Sequence, residues 1–491
     1  MRLPTALLLA ALALPAQAQD GEIITKQYDD GSVYEGTFLN GRQHGLGTYK
    51  LPSGFEYTGE WVDGEITGQG TARYPNGSVY EGTFLKGQPE GKGKITAPDG
   101  RTYEGDWVQG QMTGVGKATY ANGSVYEGSF VKGTHNGDGK LSNPSGYTYD
   151  GDWVLGVKEG TGIITYPDGT VYDGTLVKGQ RSGKGKLTMP DGLVFQGDWA
   201  EGQINGNGIL TQPNGDLYEG SFKDGLRDGQ GKMTHKNGDI YFGTWAKDQR
   251  QGQGSFTTTD GFKYEGAWVT GKMEGTGSIT YPDGSVYIGA MKADQPNGQG
   301  AITYPDGSTY QGNWAAGVIS GEGRATYKDG RVYEGSFKQA KPDGKGLMTY
   351  PDGYRYEGDW VAGQRQGTGS AVYPDESLYK GEFKAGLRDG QGEFSTTDGF
   401  KYVGSWVAGQ IEGQGVATYP EGDVYEGLFK AGKREGQGKL TYASGEVAEG
   451  IWQNGILTAP PEAPAEAAPV EGETPAAPAE GTAPAEPATN P

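Results

Sequence analysis

The chain has 491 residues, of which 92 are Gly, while only 34% are hydrophobic and 11% are aromatic. This composition excludes an ordinary globular core, and the aromatic content excludes a wholly disordered chain, so repetition is indicated. A net charge of −20 disfavours binding to nucleic acid or to anionic membranes, and the lack of Cys excludes disulfides and thiolate metal sites.

The first eighteen residues have the pattern of a secretory signal peptide. Arg2 precedes the apolar run ALLLAALAL, which is too short to span a bilayer, and the small-residue pattern AQA follows it. We predict cleavage between Ala18 and Gln19 and a lead-in segment over residues 19–29. The mature chain is then exported to the periplasm or the medium.

From residue 30 to residue 457 the sequence repeats every 23 residues, with no residue inserted or lost. Nineteen Gly follow one another at this interval from Gly36 to Gly450, and all ten Trp share one column that is otherwise Phe, Leu176 or Met291. Such regularity is typical of repeat architectures, in which each unit contacts only its neighbours. We therefore predict an array of about 19 stacked units.

Each repeat is predicted to contain two short strands. In the stretch VYEGTF, alternation sends Tyr80, Gly82 and Phe84 to one face and Glu81 and Thr83 to the other. Tyr-Pro-Asp-Gly then reverses the chain, because Pro presets φ and Gly accepts a positive φ. Hairpin after hairpin gives an all-β fold, an elongated single-layer antiparallel β-meander. The Gly between two aromatic columns leaves a slot where a neighbouring ring can lie flat.

The columns Tyr-Glu-Gly-x-Phe/Trp, then Gly, then Gly-x-Gly resemble the MORN (membrane occupation and recognition nexus) repeat family, over about residues 30–457. The resemblance implies an elongated single-layer β-sheet used for scaffolding, dimerisation and protein contact, with an older attribution of phospholipid binding. The sequence departs from the family pattern at Asp248, Asp294 and Ala340, which replace a turn Gly, and at Ala448 in the last Tyr position. We expect the final repeat to be a degenerate cap.

The sequence contains no pattern typical of an enzyme. His44, His135 and His235 fall in different repeats and share no column, so they form no metal set or triad. The Gly-x-Gly pairs precede a strand rather than a helix, so they are not phosphate cradles. Acidic residues fill twelve of nineteen positions in the Glu35 column, but successive members should lie about 10 Å apart, too far to share a metal. We predict a solvated face, no catalytic residue, no metal and no cofactor.

Two functional classes remain for the array. The first is an exported, non-catalytic scaffold or protein-interaction rod that holds protein partners or associates with itself. The second is a cell-envelope glycan-binding protein, because evenly spaced aromatic rings on one face can stack on sugar rings; alternatively, the rings only pack the sheet. The candidate binding-face aromatics are Tyr80, Phe84, Tyr103, Trp107, Tyr126, Phe130, Trp153, Tyr264, Trp268, Trp314, Tyr356, Trp360 and Trp406.

Both the repeat array and the C-terminal segment are acidic. Peripheral phospholipid association is a further alternative, but the repeat array with its lead-in holds 41 basic and 56 acidic residues, which disfavours anionic membranes. Residues 458–491 are rich in Ala, Pro and Glu and cannot bury enough apolar surface to offset the entropy of ordering. We predict that this segment is a disordered acidic tail.

Overall fold

The computed structural model describes residues 21–458, which contain 39 β-strands and no helix. A helix able to cross a membrane is therefore not found in this part of the chain. The predicted signal peptide, its cleavage position and the predicted tail beyond residue 458 lie outside the described residues. The lead-in holds a strand that sequence analysis did not predict, Ile24–Gln27, which pairs with the first strand of the array.

The described residues divide into two compact units, residues 21–228 and residues 229–458. The strands of the first unit are Ile24–Gln27 (β1), Val33–Leu39 (β2), Arg42–Lys50 (β3), Glu56–Val62 (β4), Glu65–Arg73 (β5), Val79–Leu85 (β6), Gln88–Thr96 (β7), Thr102–Val108 (β8), Gln111–Thr119 (β9), Val125–Val131 (β10), Thr134–Ser142 (β11), Thr148–Val154 (β12), Val157–Thr165 (β13), Val171–Val177 (β14), Gln180–Thr188 (β15), Val194–Ala200 (β16), Gln203–Thr211 (β17) and Leu217–Lys223 (β18).

Leu226–Thr234 (β19) contains the boundary between the units. The remaining strands of the second unit are Ile240–Ala246 (β20), Gln249–Thr257 (β21), Lys263–Val269 (β22), Lys272–Thr280 (β23), Val286–Lys292 (β24), Gln295–Thr303 (β25), Thr309–Ala315 (β26), Val318–Thr326 (β27), Val332–Lys338 (β28), Lys341–Thr349 (β29), Arg355–Val361 (β30), Gln364–Val372 (β31), Leu378–Lys384 (β32), Leu387–Ser395 (β33), Lys401–Val407 (β34), Gln410–Thr418 (β35), Val424–Lys430 (β36), Lys433–Thr441 (β37), Val447–Gln453 (β38) and Ile456–Thr458 (β39).

Within each unit, consecutive strands pair antiparallel, and from β2 to β38 strands of seven residues alternate with strands of nine. Tyr80 of β6 faces Ala72 of β5 on one side and Ile95 of β7 on the other. A small residue, Ala72, therefore lies directly opposite Tyr80. Each unit is a single-layer antiparallel β-meander, which confirms the predicted fold class.

The Gly columns accommodate the Tyr rings. Gly82 lies opposite Gly93, and a Cβ on Gly82 would meet the Tyr80 hydroxyl at 2.7 Å and the Gly93 Cα at 2.5 Å. The Tyr80 hydroxyl donates to the carbonyl of Thr83 at 3.0 Å, and the indole Nε1 of Trp107 donates to the carbonyl of Gly93 at 3.0 Å. The Tyr80 and Trp107 rings meet edge to face, with centroids 5.1 Å apart. The predicted slot is confirmed, and these rings supply the core.

A second kind of turn joins the two strands of each repeat. Lys86 and Gly87 have φ values of 50° and 79°, as a two-residue type I′ hairpin turn requires. At the three departures from the Gly column, Asp248, Asp294 and Ala340 keep positive φ values of 68°, 69° and 60°. The chain therefore adopts the left-handed conformation at these positions without Gly, which Asp tolerates readily.

β39 is the last strand of the described residues. β39 has only three residues and pairs with residues 451–453 of β38. Ala448 stands where the preceding repeats carry a buried aromatic residue. The last Tyr position of the array therefore lacks the ring that fills it in the other repeats, and the degenerate cap stays a prediction.

Candidate functional site

The aromatic face of each unit is closely packed. All thirteen candidate binding-face aromatics are buried, and the most exposed of them, Trp314, shows 7% of its surface. In the first unit these are Tyr80, Phe84, Tyr103, Trp107, Tyr126, Phe130 and Trp153, and in the second they are Tyr264, Trp268, Trp314, Tyr356, Trp360 and Trp406. Neighbours meet edge to face, as Tyr103 and Trp107 do at 5.4 Å. Burial favours the packing interpretation, because stacking on a sugar requires an open ring face.

Burial also changes the titration of the Tyr column. Desolvation raises the pKa of Tyr57, Tyr80 and Tyr103 to about 12. Their hydroxyls donate to the backbone carbonyls three residues further along the chain. A neutral, hydrogen-bonded phenol has a structural role at neutral pH and offers no general base.

We expect the protein to lose stability in alkali between about pH 10 and pH 12. Tyr in the unfolded chain ionises near pH 10, whereas burial holds the pKa of Tyr80 in the folded chain at about 12. The unfolded state therefore releases protons first, and the free energy of unfolding falls as the pH rises through this window. Phenolate absorbance and circular dichroism, recorded together, should change in one transition. Ionisation of most Tyr near pH 10 with an unchanged dichroism spectrum would contradict this account.

A column of cationic side chains crosses the aromatic face, and the sequence analysis did not single it out. The position five residues after the Phe/Trp column is cationic or titratable in eight repeats: His135, Lys158, Arg181, Arg227, Arg250, Arg365, Arg388 and Arg434. The Arg388 guanidinium lies 4.3 Å from the Trp406 ring centre and donates to the carbonyl of Gly409 at 2.8 Å. Arg365 and Arg434 make equivalent carbonyl contacts. These buried Arg side chains link successive repeats, and the signal in the sequence is a column that never contains an acid.

In the first unit, His135 and Lys158 of this column each contact a different Tyr. The His135 ring stacks on Tyr126 with centroids 3.6 Å apart, and burial lowers the pKa of His135. Lys158, one repeat further on, contacts the hydroxyl of Tyr147, and burial lowers its pKa as well. Within residues 21–458, no group of three or more His, Asp and Glu side chains could hold a metal ion. The arrangement supports packing and binding rather than acid–base chemistry.

The opposite face carries a ladder of alternating charges. Across strands β6 to β10, Glu81 faces Lys94, Lys94 faces Glu104, Glu104 faces Lys117 and Lys117 faces Glu127. Lys117 Nζ lies 2.6 Å from Glu127 Oε1, with 57% of each side chain exposed. An open groove of ≈ 890 Å³ runs beside this ladder. Exposed ion pairs contribute little stability, so the ladder is an exposed surface of alternating charge rather than a source of folding energy.

A family model described as MORN repeat matches eighteen segments of the chain, at residues 34–55, 57–79, 80–100, 103–125, 126–146, 149–171, 172–194, 195–217, 218–240, 241–262, 264–286, 287–309, 310–330, 333–353, 356–377, 379–400, 402–424 and 425–447. Curated proteins yield no match to this sequence.

Solved structures with some similarity include two TCP-type domains and a lyase. The SAS-4 (dCPAP) TCP domain of Drosophila melanogaster, solved with a proline-rich motif, is 14% identical over 41% of this chain and 90% of that chain, with a TM-score of 0.21. The TCP10 domain of Danio rerio CPAP, solved with a STIL peptide, is 17% identical over 55% of this chain and 93% of that chain, with a TM-score of 0.17. A catalytically inactive virginiamycin B lyase from Staphylococcus aureus is 12% identical over 57% of this chain and 88% of that chain, with a TM-score of 0.11.

Proposed function

Because the chain belongs to the MORN repeat family, whose repeats indicate a protein-interaction scaffold, we propose that it is an exported, non-catalytic scaffold that captures protein partners. Its contacts with them are weak and repeated. The observation that carries this proposal is the burial of the aromatic rings, of which the candidate members are at most 7% exposed. With the rings packed inside each unit, the surface that a partner meets consists of the charged ladder, the turns and single exposed aliphatic side chains.

The exposed aliphatic side chains recur at one position of the ladder face. Leu85, Val108, Val131, Val154 and Val177 occupy this position in consecutive repeats and are 43–50% exposed. Alternation along each strand places this row on the same face as the Glu column. Repeated small contacts of this kind bind weakly one at a time and strongly together, which suits a scaffold.

Export, glycan binding and phospholipid binding depend on different features of the chain. Export rests on the first eighteen residues alone. A glycan-binding role would need rings that a sugar can reach, so the packed face favours protein capture. A phospholipid role would need a basic surface, whereas the chain has a net charge of −20.

The proposal predicts which class of ligand the purified mature protein will bind. We expect a pull-down from cell-envelope extract to recover proteins, and we expect no retention on a panel of envelope polysaccharides. Anionic liposomes at physiological salt should float without the protein, because acidic surfaces repel one another within a Debye length. Fractionation of cells should place the chain outside the cytoplasm. Retention on a polysaccharide or flotation with liposomes, without protein capture, would replace the scaffold with one of the alternatives.

A further inference from the structure

Arg181 differs from the buried Arg side chains of the second unit. Its guanidinium lies 4.3 Å from the Trp199 ring centre and 5.8 Å from that of Tyr172, and the side chain is only partly buried. Arg388, in contrast, is 4% exposed and donates to a turn carbonyl. Within residues 21–458, no carboxylate lies at salt-bridge distance from Arg181. Its charge is therefore available at the surface of the aromatic face.

A shallow cavity of ≈ 530 Å³, widely open to solvent, lies beside Arg181. Thr170 and Tyr166 also line it, and the Thr170 hydroxyl is buried without a hydrogen-bond partner, with 7% of the residue exposed. Asp168 lies on the rim, where its carboxylate accepts the amide N–H of Thr170 at 2.9 Å. The cavity thus combines a cationic group with a hydroxyl that lacks a partner, and its one acid already accepts a bond within the turn.

Other repeats show which group occupies the place of Thr170. The side chain eleven residues before a cation can reach it, since the Arg365 guanidinium donates to the hydroxyl of Tyr354 at 2.5 Å. The equivalent residue is an acid in three repeats, where Asp216, Asp239 and Asp423 precede Arg227, Arg250 and Arg434. At Arg181 the sequence supplies the short, neutral Thr170. Asp239 and Asp423 accept the backbone N–H groups of Thr259 and Ala443, whereas the shorter Thr170 leaves the space beside the Arg181 guanidinium open.

We propose that Arg181 and Thr170 bind a carboxylate of an acidic, extended segment in a protein partner, with Lys158 binding a second carboxylate one repeat away. Two strands separate the positions of Lys158 and Arg181, which corresponds to about 9.6 Å. Three residues of an extended chain cover about 10 Å, so acids at every third position match this spacing. The inference rests on the proposed scaffold function and specifies the chemistry of one contact within it.

The test uses the full-length protein and a short fluorescein-labelled peptide with Glu at every third position. We expect Arg181→Gln to weaken the anisotropy-measured affinity about tenfold, as loss of a charge-assisted contact does. Lys186→Gln removes the same charge from the ladder face of the same strand, away from the cavity, and should leave binding of this peptide unchanged. Thr170→Asp should abolish binding while the fold is kept, because it places a negative charge beside the Arg181 guanidinium, where the carboxylate of the peptide would bind.

The outcomes separate this site from the scaffold function. Equal losses in Arg181→Gln and Lys186→Gln would show that overall charge controls binding and would overturn the site. Unchanged binding in Thr170→Asp, confirmed as folded by circular dichroism, would overturn it as well. If the wild-type protein does not bind the peptide but still captures envelope proteins, this inference is refuted and the scaffold function is not. Failure of both experiments would refute the scaffold.

Discussion

Replacing Gly369 by Ala should destabilise the second unit by about 3 kcal/mol, because the added methyl overpacks a closed site. A Cβ at Gly369 would meet the ring and hydroxyl of Tyr356 at 2.5–2.6 Å, and Tyr356 is completely buried. The facing Gly358 is equally confined, since a Cβ there would lie 2.5 Å from the Gly369 Cα. Neither the ring nor the backbone can move away without breaking the hydrogen bond from the Tyr356 hydroxyl to Asp359. Urea denaturation followed by circular dichroism measures the loss.

The matched control is Gly363→Asp in the turn of the same repeat. Gly363 has a φ of +90° but no atom within 4 Å of its added Cβ, and Asp294 already occupies the equivalent turn position. We expect this change to cost less than about 1 kcal/mol. Hydrogen exchange in Gly369→Ala should increase in the repeats around the substitution and remain slow elsewhere, as in other repeat proteins. Equal effects of the two substitutions, or exchange that rises uniformly, would contradict the slot account.

The sequence predicted the strands and the slots because both follow from fixed periods. A period of two sends Tyr80 and Gly82 to one face, and the period of 23 puts the same residues in every repeat. It did not predict how completely the rings are covered. That cover comes from the next repeat, whose Trp107 packs on Tyr80 and bonds to Gly93. Alternation within one strand carries no information about such a contact.

The charged ladder was missed for a related reason. The Glu column was visible, but its partner Lys94 lies on the second strand of the hairpin and faces Glu81 only in the observed register. That register depends on a two-residue turn in which Lys86 takes a positive φ. A Lys in the sequence does not indicate this conformation, because non-Gly residues rarely adopt it. A count of residue types by column would have found the cation column, because this position holds Arg, Lys or His in eight repeats, neutral residues in the others and an acid in none.

Removing residues 103–148 should leave a folded protein that captures less partner. The segment holds two complete repeats, and the deletion joins Thr102 to Tyr149, which occupies the same column as Tyr103. The register of strands, Gly slots and ring pairs is therefore continuous across the junction. Four strands are lost from the sheet of the first unit, which corresponds to about 19 Å of its width. Circular dichroism should keep its shape, and the amount of envelope protein recovered should fall about two- to tenfold because fewer contacts act together.

The matched control removes two repeats from the other unit, residues 310–355, and joins Thr309 to Tyr356. If many weak contacts distribute binding along the repeats, the two deletions should reduce capture to similar extents, since each removes the same number of strands. The cavity beside Arg181 lies outside both deletions, so the acidic peptide should still bind each shortened protein. Complete loss of capture in only one deletion would place a discrete site in that segment. A single His, Asp or Glu substitution that erased all capture from a folded chain would refute distributed binding, because no one weak contact can carry it.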